Sequence, residues 1–191
     1  MNRYNKYVRL IRHFGDFVTL PIVILIFADL AGLHRLYLVV LGMGAWTLLE
    51  YLVHRFGLHH CSAGRLLHQL HQLHHDHPGD PDAERSSLST PLIAFPMGVI
   101  FISVAGVQDG SGTFAGLLLG YLVFITIHFA VHRWPIEPYS WLYSAKMRHL
   151  THHRLENCNY GVTTGFWDIV FRTNANVLNE HIRSGVGWEP R

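Results

Sequence analysis

Charge is scarce in this chain. Only 15% of its 191 residues are Asp, Glu, Lys or Arg, against roughly 25% in an ordinary soluble domain. The formal net charge of +2 is too small and too dispersed for a nucleic-acid partner, which needs a clustered basic face. Cysteine is scarcer still. Cys61 and Cys158 cannot build a disulfide framework, and isolated cysteines mostly serve as packing residues. Two metal signatures are also missing. Without HExxH there is no zincin-type protease, and without Glu-x-x-His there is no soluble di-iron carboxylate bundle. The length suits one domain, taken as residues 1–191, and not comfortably two.

What the chain has instead is apolar sequence, 49% of the total. Four runs stand out: Phe17 to Leu33, Leu36 to Val53, Pro91 to Val107 and Phe114 to Trp134. Each approaches the ~20 residues an α-helix needs to cross the hydrocarbon core. Pro21 and Pro96 are tolerable there, because neighbouring helices re-satisfy the freed backbone groups. A basic polar segment precedes the first run and no small-residue cleavage pattern follows it, so no cleavable signal peptide is expected. The expected fold is all-α, an integral membrane protein with four transmembrane helices. Gly32 to Arg35 makes the first pair a hairpin, and QDGSGT, Gln108 to Thr113, is read as a tight turn between the second pair.

The longer segments, residues 1–16, 57–90 and 135–191, then share one side of the membrane. They hold Arg3, Lys6, Arg9, Arg12, Arg65, Arg85, Lys146, Arg148, Arg154, Arg172, Arg183 and Arg191, whereas the short turns hold only Arg35. Positive charge marks the cytoplasmic side. Both termini and a histidine-rich cap are therefore expected in the cytosol.

Histidine is the anomaly, with 16 residues. Most of them map to that same side. His54 and His59 close the second run, HQLHQLHHDH fills the middle segment, His128 and His132 close the fourth run, and His149, His152 and His153 follow. His71, His74 and His75 repeat the i, i+3, i+4 spacing of His149, His152 and His153, which places each set on one helical face. His128 and His132, four apart, also share a face. His54 and His59 are five apart, which is off-phase for a straight α-helix, and Gly57 between them is read as ending or loosening it. Two equal triplets and two pairs suggest two metal ions in one centre.

Blander readings remain for parts of this pattern. His13, His34, His60 and His181 taken singly read as ordinary surface or hydrogen-bonded residues. A loose metal-buffering tract would account for HQLHQLHHDH alone, though such a tract needs no partners on rigid helices. Haem needs axial histidines but not clustered triplets. Membrane metal transport wants ionisable groups towards mid-bilayer, whereas Asp29 and Glu50 both fall near the ends of their runs. Around so many neutral imidazoles, acids are expected to orient the ring N–H groups. Glu50, one turn before His54, and Asp168 are the candidates, with Asp76 inside the cluster. Packing or capping would explain them equally well. In the tail, PYSWLYSAKMRHLTHHRL mixes aromatic and basic residues as a helix at the headgroup level does. Trp134, Tyr139, Trp141 and Tyr143 are its expected anchors. NYGVTTGFWD, Asn159 to Asp168, is expected to fold back toward the metal site, with Gly161 permitting a tight approach. Asn159 is read either as bearing on a metal-bound water or as a turn residue.

EYLVHRFGLHH, HQLHHDHP, HFAVHRW and HLTHHRLENCNYGVTTGFWDIVFRT, taken in that order, resemble the fatty acid hydroxylase superfamily, also called the sterol desaturase family. The fatty acid 2-hydroxylase branch is the nearest in look. The resemblance runs from about Trp46 to Thr173. It implies a di-metal site held by His54, His59, His71, His74, His75, His128, His132, His149, His152 and His153, with His60, His68 and His77 as bystanders or orienting groups. It implies two metal ions, iron or, in a purified form, zinc, with O2 as co-substrate. The implied reaction is hydroxylation of a membrane lipid's fatty acyl C–H bond. A desaturase, or a sterol or carotenoid oxidase, on the same site is the alternative, as is a non-catalytic metal-binding or transport protein. No fused cytochrome domain is expected ahead of the first run, a departure from the long eukaryotic members. HPGD, His77 to Asp80, only faintly echoes a haem-binding motif. A separate cytochrome- or ferredoxin-type electron donor is therefore expected.

Overall fold

A computed structural model describes residues 3–60, 65–78 and 89–175. Cys61, His181 and the Gly79–Asp80 pair lie outside those residues. The described residues are helical wherever they are regular, as the composition leads one to expect. Helix α1, Arg3–Ala31, runs through Pro21. It stops at Gly32, whose φ of 77° is open to glycine and costly for other residues. A single 3-10 turn, Leu33–Arg35, reverses the chain into α2, Leu36–Leu52. The short hairpin between the first two apolar runs is therefore present.

The second expected turn is a correction. Helix α4, Ser89–Ala105, passes to α5, Val107–Arg133, through Gly106 alone, with φ 84°. QDGSGT is not a turn but the opening of α5. Its glycines serve interhelical contact instead. A Cβ on Gly110 would lie 2.4 Å from the Phe101 carbonyl oxygen on α4. Further along, a Cβ on Gly116 would lie 2.2 Å from the Val39 oxygen, and one on Gly42 2.2 Å from the Thr113 oxygen. Small residues let α2 and α5 approach backbone to backbone, the packing used where lipid removes the hydrophobic drive between helices.

Helix α5 is the hub, packed against α1, α2 and α4. Leu20, Ile24 and Phe27 of α1, Ala94 of α4, and Phe114, Ala115 and Leu118 of α5 form its buried core. Leu33–His60 and Val107–Arg133 are each long and apolar enough to cross a membrane, and Ile93–Ala105 is apolar but shorter. Beyond the ends of α2 and α5 lie α3, Arg65–Asp76, and α6, Trp141–Arg154. The Ser140 hydroxyl caps α6 by accepting the Tyr143 N–H at 3.1 Å. Ile127 and Val131 of α5, Ala145 of α6 and Val162 form a second buried cluster that fixes α6 and the following loop against the hub. A short helix α7, Phe166–Val170, ends the described chain.

Candidate metal centre

Residues Val53–His60 continue α2 as a π-helix. A π-helix bonds residue i to i+5, so residues five apart fall on one face. This resolves the off-phase spacing of His54 and His59. The helix does not end or merely loosen at Gly57; it widens by one residue per turn. His128 and His132 on α5 reach the same relation with ordinary α geometry.

The ten histidines fall into two groups of five. One comprises His54, His59, His71, His75 and His152; the other comprises His74, His128, His132, His149 and His153. Within each group the ligand-capable atoms lie within 4.8 Å of one another. Each triplet is thus divided between the groups. Helix α3 sends His71 and His75 to the first and His74 to the second, whereas α6 sends His149 and His153 to the second and His152 to the first. The groups are in contact, with the His75 and His153 rings stacked at 4.3 Å between centroids. His60 and His68 are turned to backbone oxygens instead, those of Arg55 and Leu58, each at 2.5 Å. His77 is exposed.

The donor atoms have the arrangement a cation requires. His54 Nδ1 donates to the Tyr160 carbonyl oxygen at 2.5 Å and His152 Nδ1 to that of Cys158 at 2.8 Å. A carbonyl only accepts, so in each ring the proton sits on Nδ1 and Nε2 presents its lone pair. Yet His71 Nε2 lies 3.0 Å from His54 Nε2, 2.9 Å from His59 Nε2 and 3.0 Å from His75 Nε2. One ring proton satisfies one such contact. The others set lone pair against lone pair, which a shared cation relieves. In the second group, His149 Nε2 is crowded in the same way by His132 at 2.8 Å and His153 at 3.0 Å. An all-imidazole donor set suits zinc, copper, iron or nickel.

Burial reinforces this chemistry. It pushes His74 down to about 3 and His152 and His153 down to about 2, with neighbouring imidazoles adding to the effect. It lowers His71, His75 and His149 as well. The rings are held neutral, the form that ligates.

The loop after α6 supports the first group. Asn159 adopts φ 54°, a left-handed conformation that Asn tolerates better than most residues. Its side chain is committed to backbone, accepting the Ala175 N–H at 2.9 Å and donating to the Ala175 oxygen at 2.9 Å. That is the turn reading of Asn159. The next four N–H groups are taken by two buried carboxylates. Asp168 accepts those of Tyr160 and Gly161, each at 2.8 Å, and Glu50 accepts those of Val162 and Thr163 at 2.7 and 2.9 Å. Gly161 is required here, since a Cβ would sit 2.1 Å from the Thr164 oxygen. Burial raises Asp168 above its ordinary value, opposed by its hydrogen bonds and by Arg148. Burial lowers Arg148, opposed by Asp168 and Glu50. A chain of contacts therefore runs from each acid, through the loop backbone, to a ring of the first group. Asp76, by contrast, is exposed.

Sequence reasoning missed the Tyr160 and Cys158 carbonyls, the Thr163 hydroxyl that also donates to Glu50, and Arg148. Backbone oxygens carry no residue signature, so nothing in the spacing announces them. Of the expected aromatic anchors, Trp134, Tyr139 and Trp141 are exposed and Tyr143 is half-buried.

Known proteins bear on this geometry. A dihydroceramide fatty acyl 2-hydroxylase of Arabidopsis thaliana is 33% identical over 143 residues, covering 71% of this chain and 60% of that protein. A fatty acid 2-hydroxylase of Rattus norvegicus is 34% identical over 149 residues, covering 71% of this chain and 39% of its own length. The chain therefore spans less than two thirds of these relatives. Among solved structures, full-length scs7p, with only its hydroxylase domain visible, superposes with a TM-score of 0.69 at 24% identity, covering 88% of this chain and 67% of that one. That likeness concerns the fold. The profile of the fatty acid hydroxylase family matches residues 39–173, a stretch that holds all ten clustered histidines, and the chain belongs to that family.

Proposed function

We propose that this protein is a multi-pass membrane di-iron oxygenase that hydroxylates a fatty acyl C–H bond of a lipid, at the 2-position by analogy with the relatives' names. The observation that carries this reading is the pair of abutting five-histidine groups. In it, α1, α2, α4 and α5 are four membrane spans, and α3 and α6 cap them on the cytosolic side together with both termini. Residues 1–191 act as one domain. The ten clustered histidines are the ligands, with zinc as the alternative occupant in purified material.

Two bound iron ions would activate O2 strongly enough to attack an alkyl C–H bond, which side chains alone cannot do. The balance is one C–H bond, O2, two electrons and two protons in, and an alcohol and water out. A separate cytochrome- or ferredoxin-type donor on the cytosolic side supplies the electrons. The chain's own part is to fix the rings. His54 and His152 are held in one tautomer by the Tyr160 and Cys158 carbonyls. Glu50 and Asp168 are the groups that hold those carbonyls in place, by pinning the loop between them. Phe124, stacked on His128 at 5.6 Å between centroids, puts an apolar wall beside the second group.

Lipid profiling of cells with and without the gene tests the reading. New 2-hydroxy fatty acyl species, dependent on O2, are expected. A new double bond or an altered sterol would assign other chemistry to the same site. Metal translocation in reconstituted vesicles, with no oxygen uptake when lipid and reductant are supplied, would overturn it.

A further inference from the structure

Helix α7 packs at an unexpected depth. The Trp167 indole N–H donates to the Thr47 hydroxyl at 2.9 Å, and Phe171 stacks on Tyr51 at 5.1 Å between ring centroids. Both partners belong to α2. Thr47 lies seven residues before His54, or about 10 Å further along the helix axis at 1.5 Å per residue. On the proposed reading, α2 is a span whose metal-bearing end meets the cytosol. A hydrocarbon core ~30 Å thick, measured from Leu36, reaches to about Phe56. The segment after the site has then turned back below the membrane surface.

Its two faces differ as immersion demands. Outward, Phe166 is 57% exposed, Ile169 66%, Val170 49% and Phe171 43%. Leu49, Leu52, Val53 and Phe56 of the span are exposed as well. Inward, Asp168 is fully buried. Backbone in hydrocarbon must have its polar groups satisfied within the protein, and several groups of this excursion are paired in that way. The Ile169 N–H reaches the Gly165 oxygen, the Phe171 N–H the Trp167 oxygen, the Thr173 N–H the Asp168 oxygen and the Asn159 N–H the Thr173 oxygen, at 2.8 to 3.2 Å. The Thr173 hydroxyl donates to Asp168 at 2.8 Å. A loop bathed in water has no need of four large apolar side chains facing out.

We infer that Phe166–Phe171 is a re-entrant element, immersed in the acyl-chain region of the leaflet on the metal-site side, with lipid as the occupant of its outward face. The inference rests on the membrane reading proposed above. The polar loop that holds His54 and His152 is thereby tied to a lipid-embedded wedge, so the first histidine group is braced against the bilayer as well as against α2.

The test uses full-length protein in phosphatidylcholine nanodiscs, in a Cys61→Ser background. The buried Cys158 stays in place, and the unsubstituted background is checked for lack of labelling. A nitroxide is attached at Ile169→Cys, and its relaxation by O2 is compared with that by a water-soluble nickel chelate. Val170→Cys serves where the first variant fails to fold. Leu41→Cys, on the exposed face of α2, and Glu156→Cys, beyond α6, are the references. The expected result is that position 169 follows position 41, with O2 the stronger relaxant by several-fold. Nickel-dominated relaxation at 169 with O2-dominated relaxation at 41 overturns the inference and identifies a water-facing surface open to a soluble partner. Nickel-dominated relaxation at both positions overturns the membrane reading itself.

Discussion

The two histidine groups are near copies built by different means. Each takes an i, i+4 pair from one of α3 and α6, a single ring from the other, and a pair from the end of a long apolar helix. In the second group that last pair, His128 and His132, is four apart on α-helix. In the first, His54 and His59 are five apart on π-helix. The first group also has ring N–H groups anchored to the Tyr160 and Cys158 carbonyls, whereas the Nδ1 atoms of His74, His149 and His153 meet no protein partner. One clustering of ring nitrogens is thus reached by two helix geometries, because what matters is the angle between side chains and not their count along the chain.

Changing that angle should have the largest effect. One alanine inserted between Ala130 and Val131 moves the distal histidine five residues from His128, turning the pair about 140° apart on an α-helix. Metal content is expected to fall from about two ions to one or fewer per chain, with activity abolished. Deleting Gly57 is the converse change. It brings His54 and His59 to a four-residue spacing, which α geometry accommodates, so metal retention well above that of the insertion variant is expected. Equal loss in both, read by elemental analysis, would refute the equivalence of the two helix geometries.

Next in size is the loop clamp. Asp168→Asn keeps the shape but turns an amide NH2 toward a buried N–H, setting donor against donor. Metal affinity in chelator competition is expected to fall about 10- to 100-fold, the usual cost of losing an orienting group. The loss should be larger for one of the two ions, since the clamp reaches only the first group and the second feels it only through the shared helices α3 and α6. Uniform weakening of both would remove that distinction.

Acidity should act on the two groups alike. His74 and His153 of the second group and His152 of the first all have folded values pushed below the ordinary 6.5. Below 6.5 the unfolded chain takes up protons that the fold refuses. Stability is therefore fully present above that value and drains away as pH falls toward the folded values. Thermal unfolding of the metal-free protein is expected to be flat above about pH 7 and to decline below 6.5. A flat profile down to strong acid would mean that the rings are not buried as described.

The smallest effect is expected at the opposite end of the molecule. Arg35 and Asp109 pair at 2.5 Å but are partly exposed, and such pairs contribute little. Asp109→Asn should leave metal content and the ratio between the two ions unchanged.

Much of this was legible in the residues. Imidazole is rare enough that ten of them in recurrent spacings name their own chemistry, and the family's ordered motifs add to that. The division of each triplet was not legible, because i, i+3 and i+4 share a face yet still diverge enough to point at two targets. Glycine misled at QDGSGT: the same residue permits a turn or a close helix contact, and only the neighbours decide. The π-helix was hidden for a similar reason, since five-residue spacing reads as a break until the helix is seen to widen. Glu50 and Asp168 were suspected as partners of the rings. Their reach through a shared loop depended on backbone, on which the letters are silent.

Because α3 and α6 each feed both groups, neither can be assembled on its own. Seating an ion in one aligns the scaffolding of its twin, so the second arrival finds less disorder left to freeze out and is held more firmly than the first. Under limiting supply, a population of such molecules should divide into fully charged and empty members, with few caught between.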